Sequence, residues 1–70
     1  MDKIFIISSF NKEIKIESIA APDEYHALLR WCQRKQYKFS SLLFNKEEII
    51  NAIRAEHGIE VNIKLLRDLI

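Results

Sequence analysis

The chain reads as a small α+β domain: an N-terminal β-hairpin, then helix, strand, helix and a final strand, with one mixed sheet packed on one side by two helices. Three observations predict this. Residues 3–19 form two β-patterned runs broken at Asn11-Lys12. Residues 21–36 and 45–57 carry the i, i+3, i+4 apolar spacing of amphipathic helices. Residues 59–65 alternate strictly between apolar and polar.

The run Lys3 to Phe10 is apolar on both faces, which suits a central strand. Glu13 to Ile19 alternates cleanly, and Asn11 tolerates the positive φ of a two-residue hairpin turn. In that register Ile7 faces Ile16, Phe5 faces Ser18 and Ser9 faces Ile14, on the side expected to be the core. Lys15 and Glu17 then point to a wetter face.

Residues 21–36 hold the only tryptophan, the only cysteine and the densest basic cluster. Pro22 suits a first helical position, Asp23 and Glu24 the positive end of the helix dipole, and Arg30, Arg34 and Lys35 the negative end. Tyr25, Leu28, Leu29 and Cys32 form the expected core stripe, with His26, Arg30, Gln33 and Arg34 opposite and Trp31 partly buried on the flank. Tyr37 to Phe44 is short, aromatic and apolar, the pattern of a third strand. Asn45 and Glu48 form a capping box, Phe44 and Ile49 are placed for a hydrophobic staple, and Gly58 supplies a left-handed stop on which Ile59 can fold back towards Ile53. Ile59 to about Leu66 is expected as a strand; the competing pattern is a helix capped by Asn62, with Ile63, Leu66 and Ile70 on one side.

Composition bounds the function. Seventy residues, 49 % apolar and 30 % charged, make one globular domain over residues 1–70, near the size at which one core suffices. One cysteine excludes an internal disulfide and a Cys-based zinc cage. No apolar run approaches a membrane span, and the first residues lack a secretory pattern. The expectation is a mature, soluble, cytoplasmic chain. Net charge is +1, yet Tyr25 to Lys46 holds five basic residues and no acidic one, so the rest of the chain nets −4. That asymmetry points to one positive surface and a negative partner.

The residues suited to it are Arg30, Trp31, Arg34, Lys35, Tyr37 and Lys38. Arg30 and Arg34, one turn apart, can present paired guanidinium groups to carboxylate or phosphate oxygens, beside aromatic anchors. Basic and aromatic residues interleaved in this way also suit single-stranded nucleic acid. The string from His57 to Leu69 resembles the second half of helix-turn-helix DNA-binding domains, over about a third of the chain with its preceding helix and without a diagnostic motif. There Asn62, Lys64 and Arg67 stand against Asp68, and the preceding helix carries Glu47, Glu48 and Glu56, whereas groove readers need more positive charge.

Residues capable of chemistry are scattered. His26 and Cys32 are six positions apart on different helix faces, and His57 sits at a helix C-terminus. Asp23-Glu24 and Glu47-Glu48 are explained by helix starts, and one glycine cannot build a phosphate loop. No catalytic residue, metal or cofactor is expected. The sequence therefore leads to a non-catalytic interaction module, a small regulator or inhibitor that binds an acidic surface of a larger protein through the basic-aromatic helix face. The alternatives are nucleic-acid binding, by that patch or by the C-terminal segment, and a non-catalytic subunit of an enzyme. A small core also makes a homodimer compatible with the sequence.

Overall fold

The computed structural model describes residues 2–40 and 42–69, with side chains described as far as Arg67. Its elements are β1 (Lys3–Asn11), β2 (Glu13–Ala21), α1 (Glu24–Lys35), α2 (Lys46–His57), β3 (Glu60–Leu65) and a 3-10 turn over Leu66–Leu69. The three strands form one sheet in the order β2-β1-β3, with both helices on one side. The α+β class and the central place of the first strand are as the sequence indicates. The sheet is antiparallel throughout rather than mixed.

Tyr37 to Phe44 does not form the third strand: the chain runs β-β-α-α-β, and the α1–α2 connection has no ladder over its described residues. Helix side chains take the backbone groups that a strand would pair. The Tyr25 hydroxyl donates to the Leu43 carbonyl at 2.8 Å, and Nε2 of His57 donates to the Lys38 carbonyl at 3.0 Å. The Ser40 amide donates to Glu56 at 3.1 Å, and the Phe44 amide to Glu48 at 3.1 Å. The aromatic residues that read as β-formers pack on each other and on α2 instead. Tyr37 stacks on His57 with centroids 4.8 Å apart, and Phe39 meets the same imidazole edge-on. Ser41, inside that expected strand, lies outside the described residues.

Helix ends follow local chemistry. Asp23, not the first turn, is the cap of α1, and its carboxylate accepts from the His26 amide at 2.8 Å, so Pro22 lies before the helix. Asn45 caps α2 by accepting from the Glu48 amide at 2.9 Å. The Glu48 side chain reaches back to Phe44, one residue before the cap, and Phe44 stays 73 % exposed instead of closing a staple over buried Ile49. Gly58, at φ 68°, ends α2, and the Ile59 amide folds back to the Ile53 carbonyl. Gln36 ends α1 in the same left-handed conformation at φ 62° without being glycine. The C-terminal ambiguity resolves in favour of the strand, β3 to Leu65: Asn62 and Ile63 lie within it rather than starting a helix, and only a 3-10 turn over Leu66–Leu69 follows, with Ile70 outside the described residues.

The hairpin register is one residue from the expected one. Lys12 alone occupies the tip, at φ 71°, and the pairs are Phe5 with Ile19, Ile7 with Glu17 and Ser9 with Lys15. A one-residue shift exchanges the two faces of a strand. Ile19 and Ala21 therefore enter the core beside Phe5 and Ile7, while Ile14 and Ile16 turn outwards. On β3, Ile63 completes this inner layer, under Ala27, Leu28, Trp31, Cys32, Ile49 and Ile53 of the helices.

Candidate interaction surface

The expected basic-aromatic patch divides into buried and edge-bound parts. Trp31 is not a partly exposed flank residue: it is fully buried, because α1 presents Ala27, Leu28, Trp31 and Cys32 to the sheet and leaves Tyr25 and Leu29 half-buried. Its indole N–H donates to Oε2 of Glu17 at 2.8 Å, and Lys35 reaches the same oxygen at 2.9 Å. Glu17 points under the helix only because of the hairpin register. Burial works against its charge, but the hydrogen bonds from Lys35 and Trp31, with the positive charges of Lys35 and Arg34, outweigh it and hold its carboxyl below the ordinary glutamate range. Tyr37 closes the far side of the indole, edge-on at 5.5 Å. A single strand of nucleic acid stacks on exposed rings, and Trp31 offers none.

Arg30 and Arg34 lie along the free edge of β2. Arg30 donates to the Ala20 carbonyl at 2.6 Å and to Asp2 at 3.2 Å, and Arg34 donates to the Ser18 carbonyl at 3.4 Å. These carbonyls are alternate groups of an edge strand whose outward backbone would otherwise be open to pairing. The paired guanidinium groups thus occupy backbone acceptors of their own chain. Lys38 is exposed at the start of the α1–α2 connection, while Lys35 is held at Glu17.

The outer face of the sheet is the surface that sequence reasoning missed. Ile14 and Ile16 are 70 % and 68 % exposed, Phe10 opposite Ile14 on β1 is 51 % exposed, and Ile4, opposite Ala20 at the other end of β1, is 42 % exposed. By register Ile6 also belongs to this side, and β3 adds Glu60, Asn62 and Lys64. Phe10, Ile14 and Ile16 form a cluster of large exposed apolar side chains at the hairpin end of this face, with Ile4 and half-buried Ile6 beyond Ser8 along β1. Leu42 and Phe44, also exposed, belong to the α1–α2 connection and not to the sheet. A signal was present in the sequence: apolar residues occupy both parities of β1, and in β2 they change parity between Ile16 and Ile19. Whichever face is buried, large apolar groups remain on the other.

The remaining reactive groups have structural surroundings. Cys32 is buried among apolar side chains, which pushes its thiol up to about 11, so it stays protonated at neutral pH. His26 sits at the α1 cap with Nδ1 2.9 Å from Asp23, whose carboxyl is held low by the His26 amide and imidazole. His57 is engaged by the Lys38 carbonyl and two aromatic rings. Lys46 pairs with Glu24 at 2.7 Å, tying the start of α2 to that of α1. Among the described residues no three His, Cys, Asp or Glu side chains converge as a metal site. Among the described residues no helix is long and apolar enough to cross a membrane. Compared with protein-family models, curated proteins and solved structures, the chain matches none.

Proposed function

We propose that this chain is a non-catalytic protein-interaction module, a small regulatory domain that engages another folded protein through the outer face of its sheet. The observation that carries this reading is the exposed cluster Phe10, Ile14 and Ile16 at the hairpin end of that face, with Ile4 exposed farther along it. Its borders are polar: Arg30 and Arg34 run along the β2 edge, and Glu60 and Lys64 stand on β3. An apolar centre with a charged rim is the common anatomy of a protein contact. The basic helix residues of the sequence reading keep a part in it, as rim charges rather than as the central anchor. Cys32 and both histidines have packing or capping roles that account for them without a reaction.

The test compares the full chain with its Ile14→Lys/Ile16→Lys variant as bait in cells that express it. Both positions are exposed, so the variant should keep the native circular dichroism and melting profile. Binding that is lost in the variant supports the reading. An identical set of bound proteins for both baits would overturn it.

A further inference from the structure

We propose that the free edge of β3 pairs with β3 of a second copy of this chain, antiparallel about a two-fold axis at Asn62, so that the two sheets join into one. The inference goes beyond the contact proposed for the outer sheet face and uses a different surface.

The order β2-β1-β3 leaves two free edges, and the chain treats them differently. On β2 the guanidinium groups of Arg30 and Arg34 occupy the Ala20 and Ser18 carbonyls. Nothing comparable covers β3. Arg54 of α2 lines a shallow cleft with Glu60, Val61 and Asn62, yet among the described residues no hydrogen bond from outside the sheet reaches the backbone of Glu60–Leu65. The strand holds no proline, and its register with β1 runs without a bulge.

That register identifies the groups left open. The Ala20 and Ser18 carbonyls point off the β2 edge, so their partners Ile4 and Ile6 turn their backbone groups towards β3. In step with Ile6, Ser8 and Phe10 also turn that way, and the three engage Lys64, Asn62 and Glu60. Val61 and Ile63, between these, aim N–H and C=O outwards, as an edge available for pairing does.

The edge is complementary to its own reverse. With the axis at Asn62, Val61 faces Ile63 of the other copy and Glu60 faces Lys64 of the other copy, each in both directions, as an isologous contact requires. Each Val61–Ile63 pair exchanges both of its backbone bonds. These two side chains lie on the inner side with the core, where Val61 is only half-buried in a single copy. Glu60 and Lys64 are exposed on the outer side, and opposite charges directly across an antiparallel pair attract. Asn62 meets its own symmetry mate with an amide that both donates and accepts.

Other registers lose this match. A one-residue slip sets Asn62 against Ile63 and mixes the two faces. An axis at Ile63 puts Glu60 against Leu66 and Lys64 against Asn62, and an axis at Val61 puts Glu60 against Asn62 and Lys64 against Gly58. Only the axis at Asn62 pairs the charges. Standing perpendicular to the sheet, it also keeps the helices of both copies on one side.

Sedimentation equilibrium of the full chain from micromolar to millimolar concentration tests the proposal. The expected species has twice the 8.3 kDa chain mass. Glu60→Lys and Lys64→Glu each set like charges opposite one another at both ends of the junction and should weaken the dimer at least ~10-fold. Both positions are exposed, so each variant should keep the native circular dichroism. An equimolar mixture of the two variants should associate as tightly as the parent, because each strand again faces opposite charge. In the parent, hydrogen exchange at the Val61 and Ile63 amides should slow at least ~10-fold as the dimer forms. Single variants that dimerise like the parent, a mixture that stays monomeric, or a dimer whose Val61 and Ile63 amides exchange at the monomer rate would each overturn the proposal. So would a parent chain that is monomeric at millimolar concentration, which would leave the edge to a strand of another protein.

Discussion

The indole N–H of Trp31 and Oε2 of Glu17 are 2.8 Å apart, and this bond joins the packing of α1 to the register of the hairpin. An indole can be buried at low cost only if its N–H finds an acceptor. Glu17 is that acceptor because the β1–β2 turn is centred on Lys12, which puts position 17 on the inner face.

Removing that acceptor tests the relationship. Glu17→Ala leaves the buried indole N–H unpaired and should cost about 1–3 kcal/mol of unfolding free energy, read from denaturant titration. Glu17→Gln keeps an acceptor and should cost less. A Glu17→Ala variant as stable as the parent would mean that water satisfies the indole.

The same carboxylate gives an acid dependence. Its folded value lies below the ordinary 4.5, so its stabilisation is present above that pH and is lost as pH falls through the lower folded value. Asp23, held below 3.8 by the His26 amide and imidazole, acts in the same direction at the α1 cap. Glu17→Gln should therefore lose stability less steeply than the parent below pH 4.5, and Glu17→Gln/Asp23→Asn less steeply still. Parallel pH profiles for the three proteins would exclude the linkage.

Left-handed helix stops offer a test of opposite sign. Gln36 holds φ 62°, where a Cβ is strained, so Gln36→Gly should stabilise the chain by about 1 kcal/mol. Gly58→Ala should lose about as much. There the cost is conformational alone, since a Cβ at Gly58 meets nothing within 4 Å. Denaturation midpoints moving in opposite directions are the expected result.

Arg30 and Arg34 should matter more for solubility than for folding. The exposed contacts of Arg30→Ala/Arg34→Ala are each worth under ~1 kcal/mol, so the melting temperature should fall only slightly. The uncovered β2 edge should raise light scattering on heating, well before the parent aggregates. Unchanged scattering would remove the edge-guarding role.

Cys32 supplies a probe of the core. With its thiol pushed up to about 11 and its side chain enclosed, the native chain should react with a disulfide reagent at pH 8 at least ~100-fold more slowly than the denatured chain. Equal rates would show that α1 opens readily from the sheet.

Some of this was legible because the deciding interactions are local. Asn45 meets Glu48 three residues on, and Gly58 ends the same helix from its own position, so α2 is written within its own residues. Alternation likewise marks β3 and the first part of β2 as strands, and apolar residues of both parities mark β1 as central. The segment Tyr37 to Phe44 was misread for the opposite reason. Its composition suits a strand, but the bonds that hold it come from Tyr25, Glu56 and His57, which are 16 to 19 positions away in the chain.

The candidate surface depended on one further choice that pattern does not contain. A period-two alternation identifies two faces without saying which is inner, and the register expected from a two-residue turn at Asn11-Lys12 gave Ile14 and Ile16 to the core. By itself the sequence determined the class of the domain, the two helices with the ends of α2, and the hairpin. Tertiary structure decided the register, because only the packed helix presents a buried indole N–H that needs Glu17 and a gap filled by Ile19 and Ala21. That choice buried Trp31, laid Arg30 and Arg34 along the β2 edge, and turned Ile14 and Ile16 out to form the surface on which the proposed function rests.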